Sequence, residues 1–429
     1  MKIAHRMIFR EFFLACLWIG IFAASSELSA VEWRQQTAPV PRPTGMPSGD
    51  TWDPTAQSMK IVYDSRRHVT VGLGGNSYPS LPYLPVSEYN GTQWVSRYNG
   101  GAGNTPGNRT VSGAVFDSVR GVTMMIGGNE VWEYNGAAWT QRIWAGAGPA
   151  LSDFEDMCFD PIRGRSVCLI RAAAAHTYET WEWTGTAWEQ GPNLGGITNF
   201  GAKIVFDIGR NRAFVYGLST SGVNEYVWEY TTGATAAQGV WYFNDTVYGA
   251  PIPGLIGVSL IYHPRLRCIF RIGGRTVDNL YTFLHSASVW DPVGSQWLLF
   301  RDNTFPIESA RGGAGVCYDD TRGVIELYRG VRVGIDQNGI GYNVSHTDMW
   351  EWDDSNPADT WVDFSAIYTT RPDGSINKPY KSLNDALGRS AVGGTIYIKT
   401  GSSAETVTAR LIFSATLRAV NGPVVIGRQ

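Results

Sequence analysis

Short apolar runs alternate with polar turns along most of this chain, and one order of runs recurs six times between residues 60 and 361. In each copy an apolar strand ends at a turn residue and an arginine-bearing turn follows. A second strand then runs toward a glycine pair or its remnant, and an aromatic strand turns over to a lone tryptophan. The turn residues are Asp64, Asp117, Asp160, Asp207, His263 and Asp319. The closing tryptophans are Trp94, Trp139, Trp188, Trp241, Trp297 and Trp361.

The second copy shows how the pattern predicts four short strands. Residues 112–116, 122–126 and 131–134 are the first three strands, and the fourth carries Trp139. Asn135-Gly136 separates the last two and favours a tight hairpin, because both residues tolerate positive φ. We expect Asp117 to accept backbone N–H groups of its own turn, which explains the recurrent acid without catalysis. The lone tryptophan is expected to pack one sheet on the next.

These elements, taken in order from the turn acid through Gly-Gly and Trp-Glu-Tyr to the closing Trp, resemble the kelch repeat over about residues 33–364. The resemblance implies an all-β fold, a six-bladed kelch-type β-propeller with one four-stranded blade per copy. We assign residues 31–362 to it. Trp33 stands ahead of the first copy, so it either pairs into the last blade as a closing strand or belongs to an N-terminal extension.

The composition changes after Trp361. Ser382 and Asp385 are spaced like a helix-capping pair, and brief apolar runs follow at 395–399, 411–413, 416–419 and 424–426. This order resembles the opening of a right-handed parallel β-helix of the pectate-lyase-like kind. The resemblance implies a short parallel β-helix-like module with one capping helix over residues 363–429.

The N-terminus is typical of a secretory signal. Lys2, Arg6 and Arg10 form a basic region, an apolar stretch spans residues 12–24, and small residues lead to Ala30. We predict a signal peptide over residues 1–30 and an exported protein, either secreted or held at the cell surface. No other stretch is long enough to span a bilayer, so we expect no membrane span in the mature chain.

Charge narrows the choice of partner. The net charge is −3, charged residues make up 17% of the chain, and lysine or arginine runs are absent from the sequence. This balance argues against nucleic acid as a partner. It leaves carbohydrate and protein as the expected partners, and we expect no cofactor and no metal.

Export makes a disulfide worth considering. Cys158 and Cys168 flank the turn of the third copy symmetrically about Arg163, so a tight hairpin would place them opposite each other. The alternative is two small buried apolar residues. Cys317 occupies the same repeat position as Cys158 with Leu327 where its partner would be, which favours the alternative.

The most uneven loops are those between the second and third strands of a copy. The second copy has almost none, whereas the fifth and sixth have long ones, and variable loops on a regular scaffold are where binding residues concentrate. The connections between copies contribute two further arginines. The ligand-binding candidates are Arg109, Asp278, Tyr281, His285, Arg311, Arg332, Asp336, Tyr342, His346 and Asp348.

Two kinds of enzyme have to be weighed against binding. Some similar propellers oxidise sugars with copper held by two Tyr and two His, for which Tyr281, His285, Tyr342 and His346 are the candidates, although they lack clustered spacing. Other six-bladed kelch proteins act on sialic acid by proton transfer, which needs an Arg for the carboxylate and a poised acid or base. Arg109 or Arg311 with Glu130, Glu179 or Asp348 would serve, yet no spacing marks them as catalytic.

We therefore expect a non-catalytic binding protein that recognises carbohydrate or a protein partner through one propeller face. The alternatives are a sugar-active enzyme, epimerase- or oxidase-like, with its site at the channel mouth, and a structural or anchoring surface protein. The first expectation depends on analogy of fold, because no motif in the sequence specifies a reaction.

Overall fold

A computed structural model provides the coordinates of this chain. The residues it describes are 33–37, 59–74, 84–97, 105–107, 109–174, 176–197, 201–221, 224–244, 254–264, 267–276, 283–284, 287–292, 295–300, 310–335, 341–346, 348–353, 360–366, 379–389, 395–404, 406 and 416–427. The predicted signal peptide lies outside these residues, so it stays a prediction.

Six antiparallel sheets follow one another along residues 33–353. The first described strand, β1 (Trp33–Gln36), joins the last sheet. The first blade consists of β2 (Lys60–Asp64), β3 (Val69–Leu73), β4 (Val86–Tyr89) and β5 (Trp94–Arg97). The second consists of β6 (Gly113–Asp117), β7 (Val122–Gly127), β8 (Glu130–Tyr134) and β9 (Trp139–Arg142). The third consists of β10 (Phe154–Asp160), β11 (Arg165–Arg171), β12 (Thr177–Trp183) and β13 (Trp188–Gln190), and the short β14 (Leu194–Gly195) also pairs with β12.

The remaining blades carry extra ladders. The fourth blade consists of β15 (Lys203–Asp207), β16 (Arg212–Leu218), β17 (Glu225–Thr231) and β18 (Val240–Asn244). A separate ladder pairs β19 (Leu255–Ile256) with β22 (Arg275–Thr276). The fifth blade consists of β20 (Ser259–His263), β21 (Cys268–Ile272), β23 (Ala287–Asp291) and β24 (Gln296–Phe300). The sixth consists of β25 (Gly315–Asp319), β26 (Val324–Tyr328), β29 (Met349–Asp353) and β1, and a hairpin of β27 (Val331–Ile335) and β28 (Gly341–Ser345) is inserted between β26 and β29.

The blades close into a ring. The first strand of each blade contacts the first strands of both neighbours, in the order β2, β6, β10, β15, β20, β25 and back to β2. The apolar clusters lie mainly between neighbouring sheets, where the two facing surfaces bury each other. The predicted six-bladed propeller is confirmed.

The closing tryptophan of the sixth blade differs from the one assigned by the repeat pattern. In the first blade Tyr89 is paired with Trp94, and in the sixth blade the equivalent Trp352 is paired with Trp33. Trp361 instead lies in β30 (Thr360–Val362), which pairs with a C-terminal strand. The assignment of Trp361 to the sixth copy was therefore wrong, and of the two alternatives for Trp33 the closing strand is correct.

The recurrent turn acid organises a buried charge network. In the second blade Asp117 Oδ1 accepts the backbone N–H groups of Val119 and Arg120 at 3.0 and 2.8 Å, as expected from the sequence. Its other oxygen accepts Arg120 Nε at 2.7 Å, and Arg120 also bonds Glu133 of the third strand. The same Asp–Arg–Glu arrangement occurs in the first, third, fourth and sixth blades. It ties the first turn of each of these blades to its third strand.

The fifth blade replaces this network with an apolar one. His263 stands at the turn, Leu266 takes the arginine position in sequence, and Val289 takes the position of Glu88 in the first blade. His263 is fully buried and packs its ring against Phe270, and also against Tyr318 with ring centroids 4.5 Å apart. The fifth blade thus replaces the Asp, the Arg and the Glu of the network together. None of these three charges is therefore left buried without the other two.

The disulfide considered for Cys158 and Cys168 is not formed. The hairpin register pairs Cys158 with Val167 and Met157 with Cys168, so the two cysteines are offset by one residue. Because successive residues of a strand face opposite sides, each thiol enters a different apolar cluster. Both thiols are free and buried, in agreement with the alternative interpretation.

The C-terminal segment has a parallel sheet. The strand β30 pairs in parallel with β31 (Thr395–Ser403), which pairs in parallel with β32 (Thr416–Ile426). The helix α1 (Leu383–Arg389) packs Leu383 and Ala386 against this sheet, and Ser382 Oγ accepts the Asp385 N–H at 2.9 Å, as the capping pattern predicts. Within the described residues we find no helix with the length and apolarity needed to cross a membrane.

Candidate functional site

The strand-two-to-three connections and the starts of the first strands lie at the same end of each blade. The register shows this directly, because Lys60 opens β2 opposite Leu73 at the end of β3, and Gly315 opens β25 opposite Tyr328 at the end of β26. We call this end of the propeller the loop face. The inserted β27–β28 hairpin belongs to it.

Arg311 anchors the base of that hairpin. Its guanidinium donates to both carboxylate oxygens of Asp348, at 2.7 and 3.0 Å, and to the Arg329 carbonyl at 3.0 Å. Gly312 and Val331 exchange two backbone hydrogen bonds of 2.9 Å beside it. Arg311 was predicted as a ligand-binding residue, but it is only 1% exposed. Its guanidinium instead binds the segments that enter and leave the hairpin.

His346 completes this cluster. Its Nε2 lies 3.2 Å from the Ala310 carbonyl oxygen, and because a carbonyl only accepts, Nε2 carries the proton. Burial, followed by the positive charge of Arg311, lowers the His346 pKa, while Asp348 opposes the shift. Burial alone would raise the Asp348 pKa, but the hydrogen bonds and charge of Arg311 outweigh it and lower that pKa. The cluster is therefore a neutral imidazole beside an ionised, paired carboxylate.

Arg109 makes the same arrangement in the second blade. It bonds Glu130, which also accepts Trp132 Nε1 at 2.6 Å, just as Asp348 accepts Trp350 Nε1 at 2.7 Å. The second blade has no hairpin at this point, since β7 ends at Gly127 and β8 begins at Glu130. The arginine–acid–tryptophan unit thus supports the strand-two-to-three connection in both blades, and in the sixth blade this connection is extended by the hairpin. Beside Glu130, Ile143 and Trp144 border a shallow pocket.

The other predicted residues divide into two groups. Asp278, Tyr281, His285 and Asp336 lie outside the described residues, and only the backbone of Tyr342 is described. Arg332 is partly buried in β27, where its charge contributes to the low pKa of His346. Among the described residues, no three His, Cys, Asp or Glu side chains are arranged to hold a metal ion.

The structure also assembles charged residues that the sequence analysis missed. Lys60 opens β2, Lys203 opens β15, and both stand four residues before the turn acid of their blade, as does Asp156 in β10. Asp156 and Lys203 lie 3.9 Å apart, and the neighbouring Glu155 lies 3.9 Å from Arg171 Nε. We call these five residues the inner-ring cluster.

The pKa values of two members of the inner-ring cluster, Lys60 and Glu155, are shifted. Burial and then the positive charge of Lys203 lower the Lys60 pKa, although Asp156 and Glu155 act in the opposite direction. Burial raises the Glu155 pKa against the hydrogen bond from Gly201 and the charge of Lys203. An amine and a carboxyl whose pKa values move toward each other are a common feature of binding and catalytic sites.

A sequence signal for this cluster exists. The first strands of the first and fourth copies read Lys-Ile-Val-Tyr-Asp and Lys-Ile-Val-Phe-Asp, whereas the second and sixth copies have Gly113 and Gly315 at the lysine position. In the ring order β2, β6, β10, β15, β20 and β25, the first strands that carry Lys60 and Lys203 belong to opposite blades. Only the closed ring makes the two lysines neighbours.

Comparison with known proteins finds similarity only in the path of the backbone. No family model and no curated protein matches this chain. A structure of YjhT has 11% identity and a TM-score of 0.43 over 69% of this chain and 95% of its own. A fungal alcohol oxidase of the AA5 family in complex with copper has 14% identity and a TM-score of 0.44 over 69% and 62% of the two chains. A chain of a nidogen/laminin complex has 10% identity and a TM-score of 0.39 over 68% and 93%.

Proposed function

We propose that this protein is an exported, non-catalytic binding protein that recognises a carbohydrate or a protein partner through the loop face of its propeller. The observation that carries the proposal is the β27–β28 hairpin. It forms its own ladder outside the four-stranded sheet of the sixth blade, and Arg311 fixes its base. An extended element on a rigid scaffold is suited to recognition, because it presents new surface without loosening the core.

The finer assignments belong to the same proposal. The repeated Asp–Arg–Glu network and the paired closing tryptophan support a kelch type of blade. The parallel order β30–β31–β32 behind α1 supports the start of a β-helix-like module. Residues 1–30 support export through a signal peptide, which leaves the mature protein secreted or at the cell surface.

The second blade supplies the design of the test. Its connection from Gly127 to Glu130 contains only Gly128 and Asn129, and Gly330 stands at the position of Gly128. Replacing residues 331–347 with a single Asn gives the sixth blade the connection of the second. We expect this variant to keep its circular dichroism spectrum and to lose binding on a glycan array or to a captured partner. Undiminished binding would contradict the proposal. The control is Val119→Ser, a change at an exposed site in the first turn of the second blade, at the end opposite the loop face.

A sugar-active enzyme is the second candidate, favoured by the inner-ring cluster. The opposite pKa shifts of Lys60 and Glu155 are what acid–base catalysis at neutral pH requires. The test is to follow anomeric exchange and oxidation of a panel of reducing sugars by NMR. Turnover lost in Lys60→Met would establish the enzyme, whereas absence of turnover across the panel would favour binding.

A further inference from the structure

Within the described part of the chain, Lys60 is the cation of the inner-ring cluster that has no ion-pair partner. The two acids are engaged by the chain that enters the fourth blade, since Glu155 accepts the Gly201 N–H at 2.8 Å and Asp156 accepts the Ile204 N–H at 3.1 Å. Asp156 also faces Lys203, and Glu155 faces Arg171. Among the described residues, no carboxylate lies within ion-pair distance of the Lys60 amine.

Lys60 stands at a position that recurs once in each blade, near the start of its first strand. The equivalent positions of the six blades hold Lys60, Gly113, Asp156, Lys203, Ser259 and Gly315. Two glycines and a serine carry little side-chain volume, so Lys60 and Lys203 have the longest side chains of the six equivalent positions. Both are partly buried, which weakens their solvation and strengthens any attraction to an anion.

The charges of the cluster do not cancel. Lys60, Lys203 and Arg171 oppose Glu155 and Asp156, so one positive charge remains when all five groups are ionised. Buried or half-buried charges require counterions, and among these five residues the carboxylates are one fewer than the cations. A negatively charged group between the two lysines would complete the set.

We propose that Lys60 and Lys203 form a subsite for an oxyanion, the carboxylate of an acidic sugar or the equivalent sulfate or phosphate, on a ligand that enters from the loop face. The inference rests on the proposed function, because it adds a charged subsite to the same binding face. Lys60 makes the primary contact, and Lys203, already steered by Asp156, makes the second. Lysine suits this role as a flexible point charge with three donors.

Binding of an anion at this subsite should be coupled to proton uptake by Lys60. Free Lys60 has a lowered pKa, and a bound anion stabilises its charged form, so binding shifts that pKa upward. Ligand binding should therefore take up protons at pH values above the free-state pKa of Lys60. A structural lysine distant from the ligand would not produce this uptake.

Isothermal titration of the full mature chain tests the subsite. The probes are glucuronate and galacturonate, their neutral counterparts glucose and galactose, glucose 6-sulfate, and inorganic sulfate and phosphate. We expect an acidic sugar to bind roughly tenfold or more tightly than its neutral counterpart, as one charged hydrogen bond contributes about 1.5–3 kcal/mol. Lys60→Met should abolish the difference, Lys60→Arg should retain part of it, and Lys399→Met, in the C-terminal sheet, should leave it unchanged.

Each outcome has a definite meaning. Tight binding of inorganic sulfate or phosphate that is lost in Lys60→Met supports the subsite and assigns it to the free ion. Equal binding of acidic and neutral sugars, or unchanged binding in Lys60→Met, overturns the inference. If neutral glycans bind and the shortened hairpin variant loses them while Lys60→Met does not, the proposed function stands and the oxyanion subsite fails.

Discussion

Trp33 lies directly opposite Trp352 in the sixth blade, in the same register that pairs Tyr89 with Trp94 in the first. The ring is thus closed by a strand from the N-terminal side of the repeats, which pairs with a strand from their C-terminal side. This closure couples the two ends of the propeller, so its stability should depend on a residue that precedes all six copies.

Removing the closing side chain should loosen the ring. Trp33 is 7% exposed and packs in the cluster between the fifth and sixth blades, so Trp33→Ala should lower the free energy of unfolding by about 3–5 kcal/mol. Thermal unfolding followed by circular dichroism measures the loss. Trp361→Ala is the matched control, since Trp361 stacks on Tyr397 in the C-terminal sheet. An equal loss in both variants would contradict the assignment of Trp33.

The contact between blades six and one should make stability depend on pH. Glu326 is fully buried and accepts Thr70 Oγ1 of the first blade at 2.5 Å. Burial raises its pKa from 4.5 to about 7, despite the hydrogen bond from Thr70 and the charge of Arg322. The folded state thus holds a proton that the unfolded state releases, so stability should fall as pH rises from about 4.5 to about 7. The loss is on the order of 3 kcal/mol at most.

Glu326→Gln should remove this slope, because an amide does not ionise. Urea unfolding between pH 5 and pH 8 measures the effect, and we expect the variant to be the more stable protein at pH 8. Glu189→Gln is the control, since Glu189 has a lowered pKa and titrates below this window. Parallel pH profiles for wild type and Glu326→Gln would refute the explanation.

The charge network should tolerate complete replacement better than partial replacement. Arg120→Leu leaves Asp117 buried without its arginine and leaves Glu133 paired with Arg142 alone, which should cost about 3–5 kcal/mol of stability. The triple variant Asp117→His, Arg120→Leu and Glu133→Val copies the fifth blade. We expect it to be more stable than Arg120→Leu alone in the same thermal measurement. A triple variant that is less stable would show that the apolar version depends on partners such as Tyr318.

The cysteines described by the structure should be reduced and slow to react. Burial raises the pKa of the Cys158, Cys168 and Cys317 thiols, so little thiolate forms in the folded protein. We expect Ellman's reagent to label them only after denaturation, and the intact mass to show free thiols at Cys158, Cys168, Cys268 and Cys317. A mass lower by two hydrogens would indicate a disulfide that the present register does not allow.

Several local features followed from the sequence because they depend on neighbouring residues. The turn acids, the Asn-Gly hairpins and the Ser382–Asp385 cap each form within a few residues, so residue type and spacing predict them. The cysteine pair shows where this stops. A symmetric position about a turn predicts partners only to within one residue, and a shift of one residue places the two side chains on opposite faces.

By itself the sequence determined the number of repeats, most of the strands within each and the turn residues that end the first strands, because these follow from periodicity and turn chemistry. Tertiary structure decided which tryptophan closes the sixth blade and which charges meet. Trp33 and Trp361 both follow the local pattern, and only strand pairing distinguishes them. Lys60, Asp156 and Lys203 are far apart in the chain, and they become neighbours because six sheets close around one axis.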